Sequence, residues 1–142
     1  MAKHEAMIRA FAEGFNERDL SRARAWMHDD VVFDWSRSIS DNRGVHQGLG
    51  AIDRLFQNFI EVWESVTWRV SDVEEVGPDR LLVGTRMDVR GRDSGIEVSG
   101  TGAQLWELRD GKIARVTLFQ SRGEAEAALA GGDLDSPARE PI

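Results

Sequence analysis

Apolar residues recur at helical spacing in the first part of the chain and change to alternation after residue 65. A stripe of Met, Ile and Phe side chains predicts a first helix over residues 3–16. A second, short helix is predicted from Asp19 to Met27, with Asp19 as its N-cap. The broadest apolar face predicts a third helix over residues 50–63. We therefore expect most of the helical structure in the N-terminal half.

Alternating polar and apolar residues predict the strands. The first strand covers Asp29–Trp35, where two aspartates precede β-branched and aromatic residues. Later alternation predicts four more strands, with turns at residues 77–79, 93–95 and 110–111, and residues 124–129 add a helical turn. Helices followed by an antiparallel meander are typical of an α+β domain. We expect three helices on one face of a curved sheet that encloses a conical pocket.

Length and composition fit a single domain over residues 1–130. A chain of 142 residues is long enough to bury a substantial core. No internal repeat and no domain-sized linker divides it. Residues 131–142 contain two glycines and two prolines, so we expect a loose C-terminal tail.

Charge and cysteine content exclude several classes of function. The formal net charge is −7 and no run of Lys or Arg exceeds two residues, which argues against nucleic-acid binding. Without cysteines there is no disulfide or thiolate chemistry, and no cluster of His and acidic residues has metal-ligand spacing. No apolar run is long enough to span a membrane and the charged N-terminus is not a signal peptide. We expect a cytoplasmic protein without a metal site.

Asp34 is the first candidate for chemistry, because it ends an apolar strand beside Trp35. If Asp34 faces an apolar pocket, desolvation raises its pKa towards neutrality, which suits a general acid or base. The alternative is a solvated or ion-paired aspartate at the end of a strand. His46 lies in a short extended segment before the third helix. It is either a pocket partner of Asp34 or a structural residue.

Aromatic residues are candidates for the walls of the pocket. The chain has five Trp and no Tyr, so no phenol hydroxyl takes part in its chemistry. Four of the Trp residues belong either to the core or to an aromatic cavity that suits a flat hydrophobic ligand. These four residues are Trp35, Trp63, Trp68 and Trp106.

Charged residues on the predicted strands and loops have two interpretations. The acidic and basic residues from Arg86 to Arg92 fit a solvated sheet face with cross-strand charge pairs. The alternative is an interface, or an anion site at the cavity mouth. Arg37 and Arg43, in the loop after the first strand, are candidates to close over a ligand.

Four short segments carry a resemblance to a known family. They are FNERDL at 15–20, DDVVFD at 29–34, HQG at 46–48 and DGKI at 110–113. In this order they make the chain resemble the SnoaL-like branch of the nuclear-transport-factor-2-like superfamily, over residues 5–122. The resemblance implies the α+β cone and a homodimer formed through the sheet face. Members of this superfamily include cyclases, isomerases, hydrolases, dehydratases and binding domains, so the fold leaves the function open.

The catalytic patterns of these relatives are only partly present. Ketosteroid isomerases combine an Asp base with a Tyr and a protonated Asp. The resemblance puts these three positions at or within one residue of Asp34, at Phe11 and at Gln104. Limonene-epoxide-hydrolase-like relatives use an Arg-x-Asp pair, which Arg86 and Asp88 match, but their further acid on the last strand is missing. SnoaL-type polyketide cyclases use an Asp on the late strands, where no acid fits, so Asp34 is the candidate for that role.

The first functional hypothesis is a cofactor-free cyclase or isomerase that acts on a small hydrophobic or aromatic carbonyl compound. Its catalytic residues are Asp34, His46 and Gln104. Its ligand-binding residues are aromatic: Phe11, Trp35, Phe59, Trp63, Trp106 and Phe119. The second hypothesis is a non-catalytic binding domain with the same pocket. The third is an interaction domain that dimerises through its sheet face.

Overall fold

The computed structural model describes residues 2–37 and 44–131. The expected closure of Arg43 over a ligand and the expected loose tail beyond residue 131 lie outside the described residues. All secondary structure reported below belongs to the two described ranges.

Four helices are present, and three of them follow the sequence-based predictions closely. The N-cap of the second helix is Leu20 and not the predicted Asp19, whose carboxylate accepts the backbone N–H of Ser21 at 3.0 Å. This helix is shorter than predicted, because the chain already enters a strand at Met27. The helices are α1 (Ala2–Asn16), α2 (Ser21–Arg24), α3 (Leu49–Val62) and α4 (Arg122–Ala130).

Six strands form one mixed sheet in the order β2-β1-β6-β5-β4-β3. The predicted antiparallel meander is confirmed as β3 to β6, whereas β1 pairs parallel with β6. The short extended segment before α3 is an edge strand, antiparallel to β1. The strands are β1 (Met27–Asp34), β2 (Val45–Gln47), β3 (Trp63–Gly77), β4 (Arg80–Gly91), β5 (Glu97–Arg109) and β6 (Lys112–Phe119). The predicted α+β class is confirmed.

Both faces of the sheet carry an apolar core, because the three N-terminal helices share one face and α4 adds cover on the other. The larger core lies between α1, α3 and the face that presents Phe33, Leu81 and Trp106. A second core lies on the opposite face, where Leu82 and Phe119 belong to the same apolar cluster as residues of α4. Successive residues of β4 are apolar on both faces, so the sheet needs cover on both sides.

Side-chain hydrogen bonds fix the end of α1 and the start of α4. Asn16, at the end of α1, donates to the carbonyl of Trp68 at 2.9 Å and accepts the backbone N–H of Trp68 at 2.7 Å. Ser121 caps α4 by accepting the N–H of Glu124 at 3.0 Å, and the Glu124 carboxylate accepts the N–H of Gln120. The first pair of bonds holds α1 against β3. The capping box sets where α4 begins beyond the end of β6.

The sheet extends beyond the cover of its helices. The pairing of β3 with β4 shifts between Val70 and Asp72, and such an irregularity increases the local bend of a strand. In β5, residues 97–101 are exposed whereas residues 103–106 are buried. A groove therefore opens on the inner face of the sheet, where the meander curves past the end of α3.

Candidate functional site

An open cavity of about 270 Å³ lies on the inner face of the sheet. Aromatic side chains form much of its wall, contributed by the turn after β1, the end of α3 and strand β3. These residues are Trp35, Phe59, Trp63 and Trp68. The volume is close to the lower end of the range of about 300–1,000 Å³ for small-molecule sites. The cavity therefore suits a small apolar compound.

Strands β4 and β5 form the floor of the cavity. Thr85, Met87 and Val89 line it from β4, and they pair in register with Gly102, Gly100 and Val98 of β5. Directly opposite residues of an antiparallel pair share one face of the sheet, so these six positions all face the cavity. These six positions are thus apolar apart from the Thr85 hydroxyl.

Gln104 is the polar group at the inner end of the floor. It is 7% exposed, and its Oε1 accepts the indole N–H of Trp106 at 2.9 Å. Trp106 itself is fully buried behind Gln104. Because the amide oxygen is occupied, the amide NH2 is available as a donor, and it donates no hydrogen bond within the part of the chain that the structure describes. Gln104 therefore offers a hydrogen-bond donor at the inner end of the cavity.

Asp34 lies on the opposite face of the sheet, which corrects the expectation that it faces the cavity. Phe33 and Trp35 are in the inner core, so the alternation of the strand turns Asp34 outwards, and it pairs in register with Thr117. Asp34 is absent from the residues that line the cavity. Its two neighbours on the cavity side are aromatic. The isomerase base position has no carboxylate on this side of β1.

The pKa of Asp34 also moves in the opposite direction from the prediction. Burial raises the pKa, but the hydrogen bonds and the ion pair together outweigh it and hold the pKa of Asp34 below its ordinary value. The carboxylate accepts the Ser36 hydroxyl at 2.6 Å and the Ser36 backbone N–H at 3.1 Å. It also pairs with Arg115 at 2.9 Å. A carboxylate stabilised in its ionised form in this way is a poor proton-transfer group near neutral pH.

His46 and Asp34 lie on different faces, so the expected pair of pocket residues does not form. His46 pairs in register with Phe33, and Asp34 pairs with Val45. Because directly opposite residues share a face of the sheet, His46 lies on the same face as Phe33 and on the opposite face from Asp34. His46 is half-buried and is not among the residues of the cavity wall.

Arg86 and Asp88 are on the outer face of β4. Met87 between them lines the cavity, so both charged side chains point away from it. Arg86 donates to Asp88 at 3.2 Å, and the Ser99 hydroxyl donates to the same carboxylate oxygen. The epoxide-hydrolase pattern is therefore absent from the cavity. The solvated face with cross-strand pairs is the interpretation that the geometry supports.

The predicted ligand-binding aromatic residues divide into three groups. Trp35, Phe59 and Trp63 line the cavity. Phe11 and Trp106 are core residues whose rings lie 5.2 Å apart, one layer behind the cavity. Phe119 borders the cavity, but it belongs to the apolar cluster under α4, and the Arg37 guanidinium lies 4.9 Å from the centre of its ring.

A small void continues inwards from the cavity. It has a volume of about 20 Å³ and shares Trp35, Trp68, Met87 and Gln104 with the cavity wall. Trp35 is 8% exposed, and its indole N–H has no hydrogen-bond partner among the described residues. Buried donors without an acceptor are rare in proteins, and each one calls for an explanation.

None of the cavity-lining residues in the described ranges is ionisable. Within the same ranges, no group of three or more His, Cys, Asp or Glu side chains could hold a metal ion. The site is thus an apolar cavity with neutral polar groups.

No helix of the described residues is long and apolar enough to cross a membrane.

Sequence reasoning missed part of the floor. Thr85, Met87 and Gly100 line the cavity but were not predicted as ligand-binding residues. The alternation of side chains along each strand could have identified them, because every second residue lies on the same face of the sheet. Gly100, Gly102 and Gln104 alternate on one face of β5, so the prediction of Gln104 as a site residue already implied both glycines.

Fold and cavity together define a small α+β protein of the NTF2-like class. The model of the SnoaL-like domain family matches residues 8–116, which is most of the chain. The chain belongs to this family, and the resemblance drawn from its sequence segments is confirmed. A search of curated proteins finds no match.

Solved structures with the same fold cover most of the chain. TerC, crystallised with polyporic acid, is 22% identical with a TM-score of 0.73, over 92% of this chain and 99% of its own. An NTF2-like protein of Burkholderia pseudomallei K96243 is 18% identical with a TM-score of 0.73, over 89% and 97%. A ketosteroid isomerase-like protein of Catenulispora acidiphila DSM 44928, in complex with trimethylamine, is 12% identical with a TM-score of 0.70, over 82% and 85%. At these identities the likeness shows the fold.

Proposed function

We propose that this protein binds a small, uncharged, hydrophobic compound that carries a carbonyl oxygen. The observation that carries the proposal is the Gln104 amide, whose NH2 group is a free donor at the inner end of an apolar cavity. A ligand that covers this NH2 group without supplying an acceptor loses about 1–3 kcal/mol. A ligand carbonyl that accepts from Gln104 removes this cost and fixes the orientation of the ligand.

Binding without acid–base catalysis by Asp34 is the form of the hypothesis that the geometry favours. Proton transfer next to a carbonyl needs an ionisable group within hydrogen-bond reach of the ligand. The cavity wall offers only neutral groups in the described ranges, and the Asp34 carboxylate is paired on the other face with Arg115. Gln104 then serves to recognise and polarise the oxygen, and the Trp residues provide the apolar contact area.

Two structural relatives support a small-molecule site in this fold. TerC was crystallised with polyporic acid, and the Catenulispora protein is in complex with trimethylamine. The SnoaL-like family includes cyclases and isomerases, so a compound of the same class as their substrates is a reasonable ligand for this chain. The proposal takes only the general class from these proteins.

A matched pair of probes tests the carbonyl requirement. 9-Fluorenone and fluorene have the same planar shape and differ in one carbonyl oxygen, and quenching of Trp fluorescence reports binding near Trp35, Trp63 and Trp68. We expect 9-fluorenone to bind about tenfold more tightly than fluorene, because one hydrogen bond contributes about 0.5–1.5 kcal/mol. Gln104→Leu should abolish this preference, and Asp34→Asn should leave it unchanged. Failure of both probes to bind would overturn the proposal.

Dimerisation through the sheet is a second proposal, supported by the outer face of β3, β4 and β5. This face is polar and carries both signs of charge, with Arg90 pairing to Glu64 at 3.2 Å and to Glu97 at 3.8 Å. A groove of about 350 Å³ runs along it. A face with both signs of charge is self-complementary when two copies meet about a two-fold axis.

Light scattering of the purified protein tests this second proposal. We expect the mass of a dimer at low salt, and a monomer after Arg90→Glu, because the change places like charges beside Glu64 and Glu97. Arg109→Glu is the control, because Arg109 pairs with Asp30 away from this face. A wild-type monomer at micromolar concentration would overturn the proposal.

The cytoplasmic location stays a prediction.

A further inference from the structure

Two glycines leave part of the cavity floor without side chains. Gly100 and Gly102 lie on the cavity face of β5, opposite Met87 and Thr85 of β4. A Cβ atom built on Gly100 meets nothing within 4 Å, so open space lies directly above its backbone. A Cβ on Gly102 comes within 3.1 Å of the Phe119 carbonyl oxygen. The backbone is open to the cavity at Gly100, whereas the Phe119 carbonyl covers it at Gly102, and we call this segment the glycine strip.

The glycine strip lies between the open and the closed end of the cavity. Exposure falls along β5 from 51% at Val98 to 7% at Gln104, so a ligand enters at the Val98 end. Six residues of a strand span roughly 20 Å. An elongated ligand therefore crosses Gly100 and Gly102 before it reaches Gln104.

Two donors lie at the closed end: the Gln104 amide NH2, and the Trp35 indole N–H, which is buried without a partner among the described residues. Gln104 presents its amide NH2, because its oxygen accepts from Trp106. Trp35 is 8% exposed, and its indole N–H has no partner among the described residues. Both residues line the cavity and the void of about 20 Å³ behind it. A site needs roughly 10–15 Å³ to hold one water, so the void has room for a single oxygen atom.

We propose that the glycine strip is the binding surface for a planar, uncharged ligand. The acceptor oxygen of this ligand is held at the closed end by Gln104 and Trp35. A flat ring system lies on the exposed backbone of Gly100, beside the Phe119 carbonyl that covers Gly102, with the aromatic wall on its other side. A twisted ligand of the same composition meets the wall and the floor together and is excluded. This inference rests on the proposed function and adds to it the planarity of the ligand and a second donor.

Substitution of Gly100 tests this binding surface without disturbing the fold. Gly100→Leu fills the open space above the strip, and a larger residue is also better suited than glycine to a strand. We expect an unchanged melting temperature and at least tenfold weaker binding of 9-fluorenone, with Gly100→Ala in between. Ser99→Leu is the matched control, because Ser99 neighbours Gly100 but lies on the outer face with Asp88. Its affinity should stay within twofold of wild type.

Planarity and the second donor have separate tests. Wild type should bind planar 9-fluorenone at least tenfold more tightly than twisted benzophenone. Trp35→Phe keeps an aromatic ring near Phe33 and Phe56 but removes the N–H, and it leaves no hydrogen-bond partner unsatisfied. It should reduce the preference for 9-fluorenone over fluorene severalfold.

The outcomes distinguish this inference from the proposed function. One outcome is that wild type prefers 9-fluorenone to fluorene but Gly100→Leu binds 9-fluorenone as well as wild type does. The glycine strip is then not the binding surface, and the proposed function stands. If Trp35→Phe keeps the full preference, Trp35 is not the second donor. Equal binding of benzophenone and 9-fluorenone overturns the selection for planarity. If neither 9-fluorenone nor fluorene binds to wild type, both proposals fail.

Discussion

The Asp34 carboxylate and the Arg115 guanidinium pair at 2.9 Å on the face of the sheet that is turned away from the cavity. The same carboxylate accepts two hydrogen bonds from Ser36 and so closes the turn that follows Trp35. Trp35 lines the cavity, whereas the residue before it stabilises the turn from the other side. Asp34 therefore contributes to the stability of this turn and makes no contact with the cavity.

Asp34→Asn should lower the free energy of unfolding by about 1 kcal/mol at pH 7. Hydrogen bonds to charged groups contribute about 1.5–3 kcal/mol, and the 38% exposure of the Arg115 side chain reduces the effect through solvent screening. The pKa of Asp34 is lowered in the folded state, so its contribution is present above the unfolded-state pKa and is lost as the pH falls through the folded-state pKa. Urea unfolding at pH 7, 5, 4 and 3 should show the difference shrinking below about pH 4.

Asp30→Asn is the control for this measurement. Asp30 lies on the same strand as Asp34 and pairs with Arg109 at 2.9 Å. The side chains of Asp30 and Arg109 are 63% and 54% exposed. We expect a smaller loss of stability for Asp30→Asn, because surface ion pairs contribute little. An Asp34→Asn difference that grows as the pH falls would contradict the lowered pKa.

Trp106→Phe should weaken binding of 9-fluorenone through Gln104. Without the indole N–H, the Gln104 oxygen loses its partner at 2.9 Å and the amide is free to turn its oxygen towards the cavity. The expected result is a severalfold smaller preference for 9-fluorenone over fluorene, although Trp106 is not part of the cavity wall. Fluorene affinity serves as the control for changes in cavity shape. An unchanged preference would show that the Gln104 orientation does not depend on Trp106.

Periodicity predicted the elements well because it reports burial directly. The stripe from Met7 to Phe15 is buried in α1, and the alternation after residue 65 corresponds to β3 through β6. The parallel pairing of β1 with β6 was not predicted. Parallel neighbours are set by packing between distant segments, and Phe33 and Val116, which pair in register, carry no local signal for it.

The site was harder to predict, because the face of a strand depends on which neighbours are buried. Val31, Val32 and Phe33 are all apolar, so the sequence does not tell which of them points inwards, and Asp34 was assigned to the wrong side. Gln104 was assigned to the cavity through the family pattern. The unpartnered N–H of Trp35 is a property of three-dimensional packing, which no spacing in the sequence indicates.

Phe11→Tyr should fold and should occupy the void. Phe11 and Gln104 both line this space of about 20 Å³, which has room for one hydroxyl group. Thermal unfolding should show a loss below about 1.5 kcal/mol, since the substitution adds little volume. Phe11→Ala should lose about 3–5 kcal/mol, because the ring packs against Trp68 and Trp106 at 5.3 and 5.2 Å. Equal losses for the two variants would mean that the void cannot take a hydroxyl group.

Arg122→Met should weaken the attachment of α4 and leave the cavity intact. The guanidinium of Arg122 reaches from α4 to Asp72 at 2.6 Å and to Glu74 at 2.7 Å, both on β3, the far edge of the sheet. The side chain of Arg122 is 34% exposed, so screening limits the expected loss to about 1 kcal/mol at low salt. The loss should be smaller at 1 M salt, where charge interactions are screened within about 3 Å.

Arg9→Met is the matched control for the Arg122 variant. Among the described residues Arg9 pairs only along its own helix, with Glu5, and both side chains are more than 60% exposed. Such pairs contribute about 0.2–0.5 kcal/mol, so this variant should change the unfolding midpoint less than Arg122→Met does. Hydrogen exchange should become faster in α4 in Arg122→Met and stay unchanged in β5. Faster exchange in both elements would mean that α4 also supports the cavity floor, because the second core joins α4 to Leu105 of β5.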